Sequence, residues 1–176
     1  ISSLEWHNMS KQRPYYFIGF IYLFFSLFCV YKLRFDFTND ASLFLLITII
    51  CILTDIGGFI FGKAFKGPKL TKYSPNKTYS GLFGSFFLSF SIIPINFFFN
   101  FLNDINLITL MIFTLIVSAI SQLGDIFISY FKRSSNIKDT GKIIPGHGGL
   151  LDRIDGMIFA FPIAYLMILF NLFEIV

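Results

Sequence analysis

Five apolar segments, at 15–31, 42–62, 81–102, 106–131 and 154–175, dominate this chain of 176 residues. Crossing a hydrocarbon core takes roughly 17–25 residues of helix, and each segment has about that length. A spanning segment must satisfy its backbone polar groups internally, so helices are the expected form. The fold class that follows is all-α: a polytopic transmembrane bundle of about five helices, forming one integral membrane domain over 1–176. Composition supports this reading, with 55% hydrophobic residues, 14% charged residues and a mean hydropathy of +0.73. Soluble domains carry about 25% charged residues, so a soluble globular protein is excluded. Pro94 is expected to kink the third segment, because it removes a backbone donor. The fourth is long enough to tilt or to project a turn or two beyond the bilayer.

Charge gives the orientation. Of the 14 Lys and Arg residues, 12 fall in the first fourteen residues, in the stretch after the second segment, or in the stretch after the fourth. Only Lys32 and Arg34 lie on the other side, beside Asp36 and Asp40. By the positive-inside rule the first group is cytoplasmic, and the setting expected for such a multi-pass protein is a bacterial inner membrane. The chain begins at Ile1 rather than Met, and residues 1–14 lack the apolar core of a signal peptide. Cys29 and Cys51 sit inside apolar runs and read as small buried hydrophobes. The net charge of +4 comes without the aromatic–basic interleaving of nucleic-acid binders, so no nucleic acid is expected as a partner.

Charged groups within apolar helices are costly, about 2.5–3.5 kcal/mol each on insertion scales, and so call for a reason. Asp55 lies well inside the second segment, and Asp125 lies in the cytoplasmic half of the fourth. Glycines at 57, 58 and 124 stand beside them, which favours a polar cavity over isolated structural hydrogen bonds. The basic stretch at 129–155 carries a mixture that loop charge alone does not explain. Lys132, Arg133, Lys138 and Arg153 offer donors to phosphate oxygens. Gly146, Gly148 and Gly149 surround His147 and allow the backbone to cradle an anion, with His147 either a general acid or a turn residue. Asp152 and Asp155, spaced i, i+3, share one face at the start of the fifth helix, where capping would also favour them. Carboxylates and cations at one membrane face suit Mg²⁺ on a polyphosphate, with a second cation as an open addition. Ser74, Lys77 and Thr78 precede the third segment and form a candidate anion site at a helix N-terminus, or a lipid-headgroup contact.

The stretch 129–155 resembles the signature of the phosphatidate cytidylyltransferases (CDP-diacylglycerol synthases). Ser129, Lys132, Arg133, Lys138, Asp139, Gly141, His147, Gly148, Gly149, Asp152, Arg153 and Asp155 fill it without a gap. Asp55 through Gly62 with Lys63, the motif Ser74-Pro75-Asn76-Lys77-Thr78, and the pair Gly124-Asp125 are similar to three further family segments. One departure stands out: the family pattern continues with Glu and Gly after the second of these, and here Ser80 precedes Gly81. The likeness runs from about Trp6 to the C-terminus, and it implies that the N-terminal helices of the family are missing.

The resemblance implies conversion of CTP and phosphatidic acid to CDP-diacylglycerol and pyrophosphate, among membrane lipids. It implies Asp125, Asp152 and Asp155 as metal ligands, and Asp125, Lys138, Asp139, His147, Asp152 and Asp155 as the catalytic set. Asp55, Ser74, Lys77, Thr78, Lys132, Arg133, Gly148, Gly149 and Arg153 would bind substrate. The lipid phosphate would itself be the nucleophile at the α-phosphorus of CTP. Two other readings stay open: a CTP-dependent enzyme on another lipid phosphate or a polyprenol, and an ion-coupled transporter using Asp55 and Asp125. A homodimer is likewise open, since Gly and Ser are too scattered to name a dimer face.

Overall fold

A computed structural model describes residues 1–11, 13–36, 41–99, 105–141, 143 and 148–172. Its helices are α1 (Ser2–Ser10), α2 (Tyr16–Phe35), α3 (Ser42–Phe65), α4 (Tyr79–Ser89), α5 (Ile92–Phe99), α6 (Leu107–Ser134), α7 (Leu151–Ile154) and α8 (Met157–Leu169). Among the described residues no strand forms, and the isolated bridge between Lys69 and Thr78 closes the turn that reverses the chain between α3 and α4. Four helices are long and apolar enough to cross a membrane: α2, α3, α4 continued by α5, and α6. The fifth apolar segment is helical as α8, but its 13 residues span only about 20 Å against a core of about 30 Å. At 28 residues, α6 is about 42 Å long and overshoots such a core by more than one turn. Its last turn carries Lys132 and Arg133.

The third segment breaks at Phe90 and Ser91 rather than at Pro94 itself. Proline has no N–H for the carbonyl four residues back, and its ring crowds that carbonyl. The carbonyl of Phe90 therefore takes the N–H of Ile93, at 3.1 Å, and the helix restarts.

Two features hold the bundle together. Leu43, Leu46, Ile47 and Ile50 of α3 pack with Phe113 and Val117 of α6 and with Ala160, Phe161 and Ala164 of α8. Lipid tails are as apolar as these side chains, so close backbone approach and interhelical hydrogen bonds must add specificity. Glycines supply the approach between α3 and α4. A Cβ on Gly57 would lie 2.5 Å from the carbonyl oxygen of Gly84, and one on Gly81 would lie 2.8 Å from that of Gly58. Between α3 and α6, Thr54 Oγ1 donates to Ser118 Oγ (2.9 Å) or to the carbonyl of Ile50 (2.8 Å).

The first fourteen residues are built into the fold. Trp6 and Met9 of α1 cluster with Leu23 of α2, Ile128 of α6, Leu151 of α7 and Ile158 of α8. Trp6 covers Gly19 so closely that a Cβ there would fall 1.8 Å from its ring, and its Nε1 donates to the carbonyl of Tyr16 at 3.0 Å. Both cysteines are buried free thiols, in keeping with their expected role as small hydrophobes.

Candidate active site

A cavity of about 440 Å³ opens where α3, α4, α6 and α7 meet the turns at 66–78 and 135–141. Asp55 reaches it from α3, and Asp125, Ser129, Lys132 and Arg133 reach it from α6. Ser74, Lys77 and Thr78 enter from the turn before α4, Lys138 and Asp139 from the stretch after α6, and Asp152, Arg153 and Asp155 from around α7. Segments separated by up to a hundred residues thus converge on one space. Asp152 lies within α7 and Asp155 in the turn that follows, and both face the cavity as their spacing suggested. His147 lies outside the described residues.

Two of the cations are paired with aspartates. Lys77 forms an ion pair with Asp125, and its Nζ also donates to the carbonyl of Gln122 at 3.4 Å. Asp125 Oδ1 takes the hydroxyl of Ser129 at 3.3 Å. Lys132, buried at the end of α6, donates to Asp152 Oδ1 at 2.8 Å. The other oxygen of Asp152 accepts the N–H of Thr140 (2.8 Å), the N–H of Gly149 (2.9 Å) and the hydroxyl of Thr140 (3.0 Å). Burial opposes ionisation of Asp152, but these hydrogen bonds and the Lys132 charge outweigh it and hold the carboxyl below its ordinary 3.8. Arg133 Nη1 donates to the carbonyl of Ile137 at 2.9 Å, which closes the C-terminal turn of α6.

Gly148 and Gly149 do not border the cavity among its lining residues. Gly148 adopts φ +87, where a Cβ would be strained and would lie 2.8 Å from Asp152 Oδ2. At Gly149 a Cβ would meet Thr140 Oγ1 at 2.4 Å and Glu5 Oε1 at 2.6 Å. Both glycines make room for carboxylates of the protein, and the N–H of Gly149 serves Asp152. Thr78 caps α4, its Oγ1 accepting the N–H of Gly81 at 3.1 Å. Ser80 stands beside it, Oγ to Oγ at 2.9 Å, and its hydroxyl donates to the carbonyl of Lys66. Ser80 therefore braces the turn from outside the cavity.

Sequence reasoning missed Glu5. This buried residue of α1 accepts the N–H groups of Leu150 (2.9 Å) and Leu151 (2.7 Å) and the hydroxyl of Thr140 (3.3 Å). One signal was present: Glu5 is an acid beside Leu4 and Trp6, in an N-terminal stretch whose Lys11 and Arg13 otherwise follow the basic trend.

Of the three expected metal ligands Asp152 is the most heavily engaged, its oxygens accepting from Lys132, Gly149 and Thr140. Among the described residues no three His, Cys, Asp or Glu side chains gather closely enough to hold a metal unaided. Asp125 and Asp155 remain, each within electrostatic reach of the other. Two carboxylates suit Mg²⁺, which typically completes its shell with phosphate oxygens and water. The described lining carries Asp55, Asp125, Asp139, Asp152 and Asp155 together with Lys77, Lys132, Arg133, Lys138 and Arg153, five of each sign.

The sequence pattern of the cytidylyltransferase family matches residues 4–171. The chain belongs to the cytidylyltransferase family. Its relatives include a phosphatidate cytidylyltransferase of Rickettsia felis, 40% identical over 177 residues, covering 92% of this chain and 74% of that protein. The phosphatidate cytidylyltransferase of Rickettsia conorii is 42% identical over 173 residues, covering 93% of this chain and 74% of its own length. A more distant phosphatidate cytidylyltransferase, from Staphylococcus haemolyticus, is 36% identical over 154 residues and is covered to 55%. The family match takes in α1 and Glu5 as well as the signature stretch.

Proposed function

We propose that this multi-pass membrane protein transfers the cytidylyl group of CTP to the phosphate of phosphatidate, giving CDP-diacylglycerol and pyrophosphate. One observation carries the reading: residues of three separate family motifs, around Asp55, Ser74–Thr78 and 129–155, line a single cavity at one end of the bundle. Membership of the cytidylyltransferase family, with phosphatidate cytidylyltransferases among the relatives, supports the same chemistry. The basic end of the bundle is the cytoplasmic one in this reading, within a bacterial plasma membrane, and meets CTP from that side.

A phosphate oxygen of phosphatidate attacks the α-phosphorus of CTP. The new oxygen–phosphorus bond forms as the bond from that phosphorus to the bridging oxygen breaks, and pyrophosphate leaves with the electron pair. The acceptor phosphate is already ionised at neutral pH, so no side chain need remove a proton. Catalysis in such transfers rests on positioning and on neutralising charge over the phosphate oxygens. Lys77, Lys132, Arg133, Lys138 and Arg153 supply donors on several sides of the cavity, the first two aimed by Asp125 and Asp152 and Arg133 by the carbonyl of Ile137. Ser74 and Thr78 order the turn that presents Lys77. Asp125 and Asp155 would hold Mg²⁺, which when bound supplies further neutralisation of the triphosphate and the leaving pyrophosphate. Asp152 orients Lys132 and fixes the approach of α7 through Thr140 and Gly149.

The test is a transfer assay. Protein in detergent micelles with phosphatidate, Mg²⁺ and CTP labelled in its cytosine ring should yield an organic-soluble cytidine product and one equivalent of pyrophosphate. Asp125→Asn should lose that product. A wild-type protein that labels no lipid across phosphatidate, other lipid phosphates and polyprenol phosphate would rule out the reading.

A further inference from the structure

We infer that Glu5 is a positioning residue for the reaction, acting from the first helix on the segment that carries Asp152, Arg153 and Asp155. This inference rests on the proposed transfer activity for its kinetic consequence, though its structural half stands apart from it. The Glu5 carboxylate receives two successive main-chain N–H groups, those of Leu150 and Leu151, at 2.9 and 2.7 Å. These donors sit just ahead of Asp152, Arg153 and Asp155, all three of which line the cavity. The same carboxylate takes the hydroxyl of Thr140 at 3.3 Å, and that hydroxyl also lies 3.0 Å from Asp152 Oδ2. Thr140 and Leu150 flank the turn from opposite ends, so one buried group pins both.

The surroundings are shaped to Glu5. A Cβ on Gly141 would fall 2.7 Å from Glu5 Oε1, and one on Gly149 would fall 2.6 Å from the same atom. Trp6, next in sequence, wedges between α2 and α6, in contact with Gly19, Tyr15 and Phe131. The helix carrying Glu5 is therefore fixed against the bundle and transmits that fixed geometry to the turn. Glu5 does not border the cavity, so it touches no substrate. A displacement of about 1 Å in a group that aligns reacting phosphates can reduce the rate about 100-fold.

Two variants and two readouts test this in the intact protein in micelles. Glu5→Gln keeps the size and one acceptor oxygen but turns an amide NH₂ toward one of the two N–H donors; Glu5→Ala removes both acceptors. Hydrogen exchange of the 148–156 peptide should speed about tenfold in Glu5→Gln, while exchange in α3 and α6 stays at wild-type levels. kcat per folded molecule should fall about 100-fold, with the KM for CTP within threefold of wild type. Exchange that rises throughout the bundle, or a turnover loss that only tracks the folded fraction, would make Glu5 structural and overturn the inference. Unchanged exchange at 148–156 would overturn it too. If Glu5→Ala fails to fold, Glu5→Gln decides. Should wild type prove inactive on every lipid, the transfer reading fails while the exchange data still judge Glu5.

Discussion

Replacing Asp152 by Asn probes the most heavily engaged group of the site. The amide has one acceptor oxygen where the carboxylate has two. Its best placement keeps that oxygen at the Oδ2 corner, where the N–H groups of Thr140 and Gly149 and the Thr140 hydroxyl converge. The NH₂ then faces the ammonium of Lys132, so a 2.8 Å ion pair becomes an opposition of two donors. Removing one partner of a buried pair costs about 3–5 kcal/mol, and because Lys132 borders a polar cavity the lower end, about 3 kcal/mol, is expected. Unfolding of the purified protein in mixed micelles measures it. Lys132→Met alone should be destabilising as well, while the double variant should be less so than the sum of the singles by about 1.5–3 kcal/mol. Additivity within about 0.5 kcal/mol would refute the pairing.

The pH dependence carries its own sign. A carboxyl held below its ordinary value of 3.8 in the fold contributes stability that is present above that value and lost as pH falls through the lowered one. The loss caused by Asp152→Asn should hence be constant from neutral pH down to about 5 and shrink below about 4, as the unfolded chain protonates, until pH passes the lowered value and the folded carboxyl is protonated too. A loss that grew on acidification would contradict the assignment.

Three further outcomes are expected. Lys77→Met should lower kcat/KM by about 100-fold or more by removing a cation from the developing charge, with cytidine-lipid formation as the assay. Gly84→Ala places a Cβ 2.2 Å from that of Phe61, so α4 must shift; unfolding in micelles should show a loss of about 1–3 kcal/mol. Chelation of divalent cations should abolish transfer, and returning Mg²⁺ should restore it where added monovalent salt does not.

The apolar segments and the residues gathered at the cavity were legible because each rests on a local pattern. Length marks a helix able to span, and the spacing of Lys132, Asp152 and Asp155 reports one motif. The break before Pro94 was legible in kind, and its place one turn earlier follows from which carbonyl loses a donor. Glu5 was hidden because its partners are backbone N–H groups of Leu150 and Leu151, and no side-chain pattern announces a main-chain contact across that distance. Gly148 and Gly149 were read as an anion cradle for the same reason. Glycine in such a loop signals room or unusual backbone, and only the fold shows that the room is filled by Asp152 and Glu5. The hydrogen bonds of Asp152 were not legible, because sequence spacing records a carboxylate but not its partners.

The pairing of signs gives the cavity its logic. Lys77 beside Asp125 and Lys132 beside Asp152 each favour the charged form of the partner. Lys77 held by Asp125 and Lys132 held by Asp152 are not equivalent, however. Asp152 has three further donors on its second oxygen and keeps its place when Lys132 turns to a phosphate. Among the described residues Asp125 has only the long contact from Ser129 besides Lys77, so a phosphate that drew Lys77 away would leave its oxygens open to a cation. One pair is built to hold geometry and the other to exchange partners. That difference lies in hydrogen bonds, not in residue type, and it separates two aspartates that the sequence presents alike.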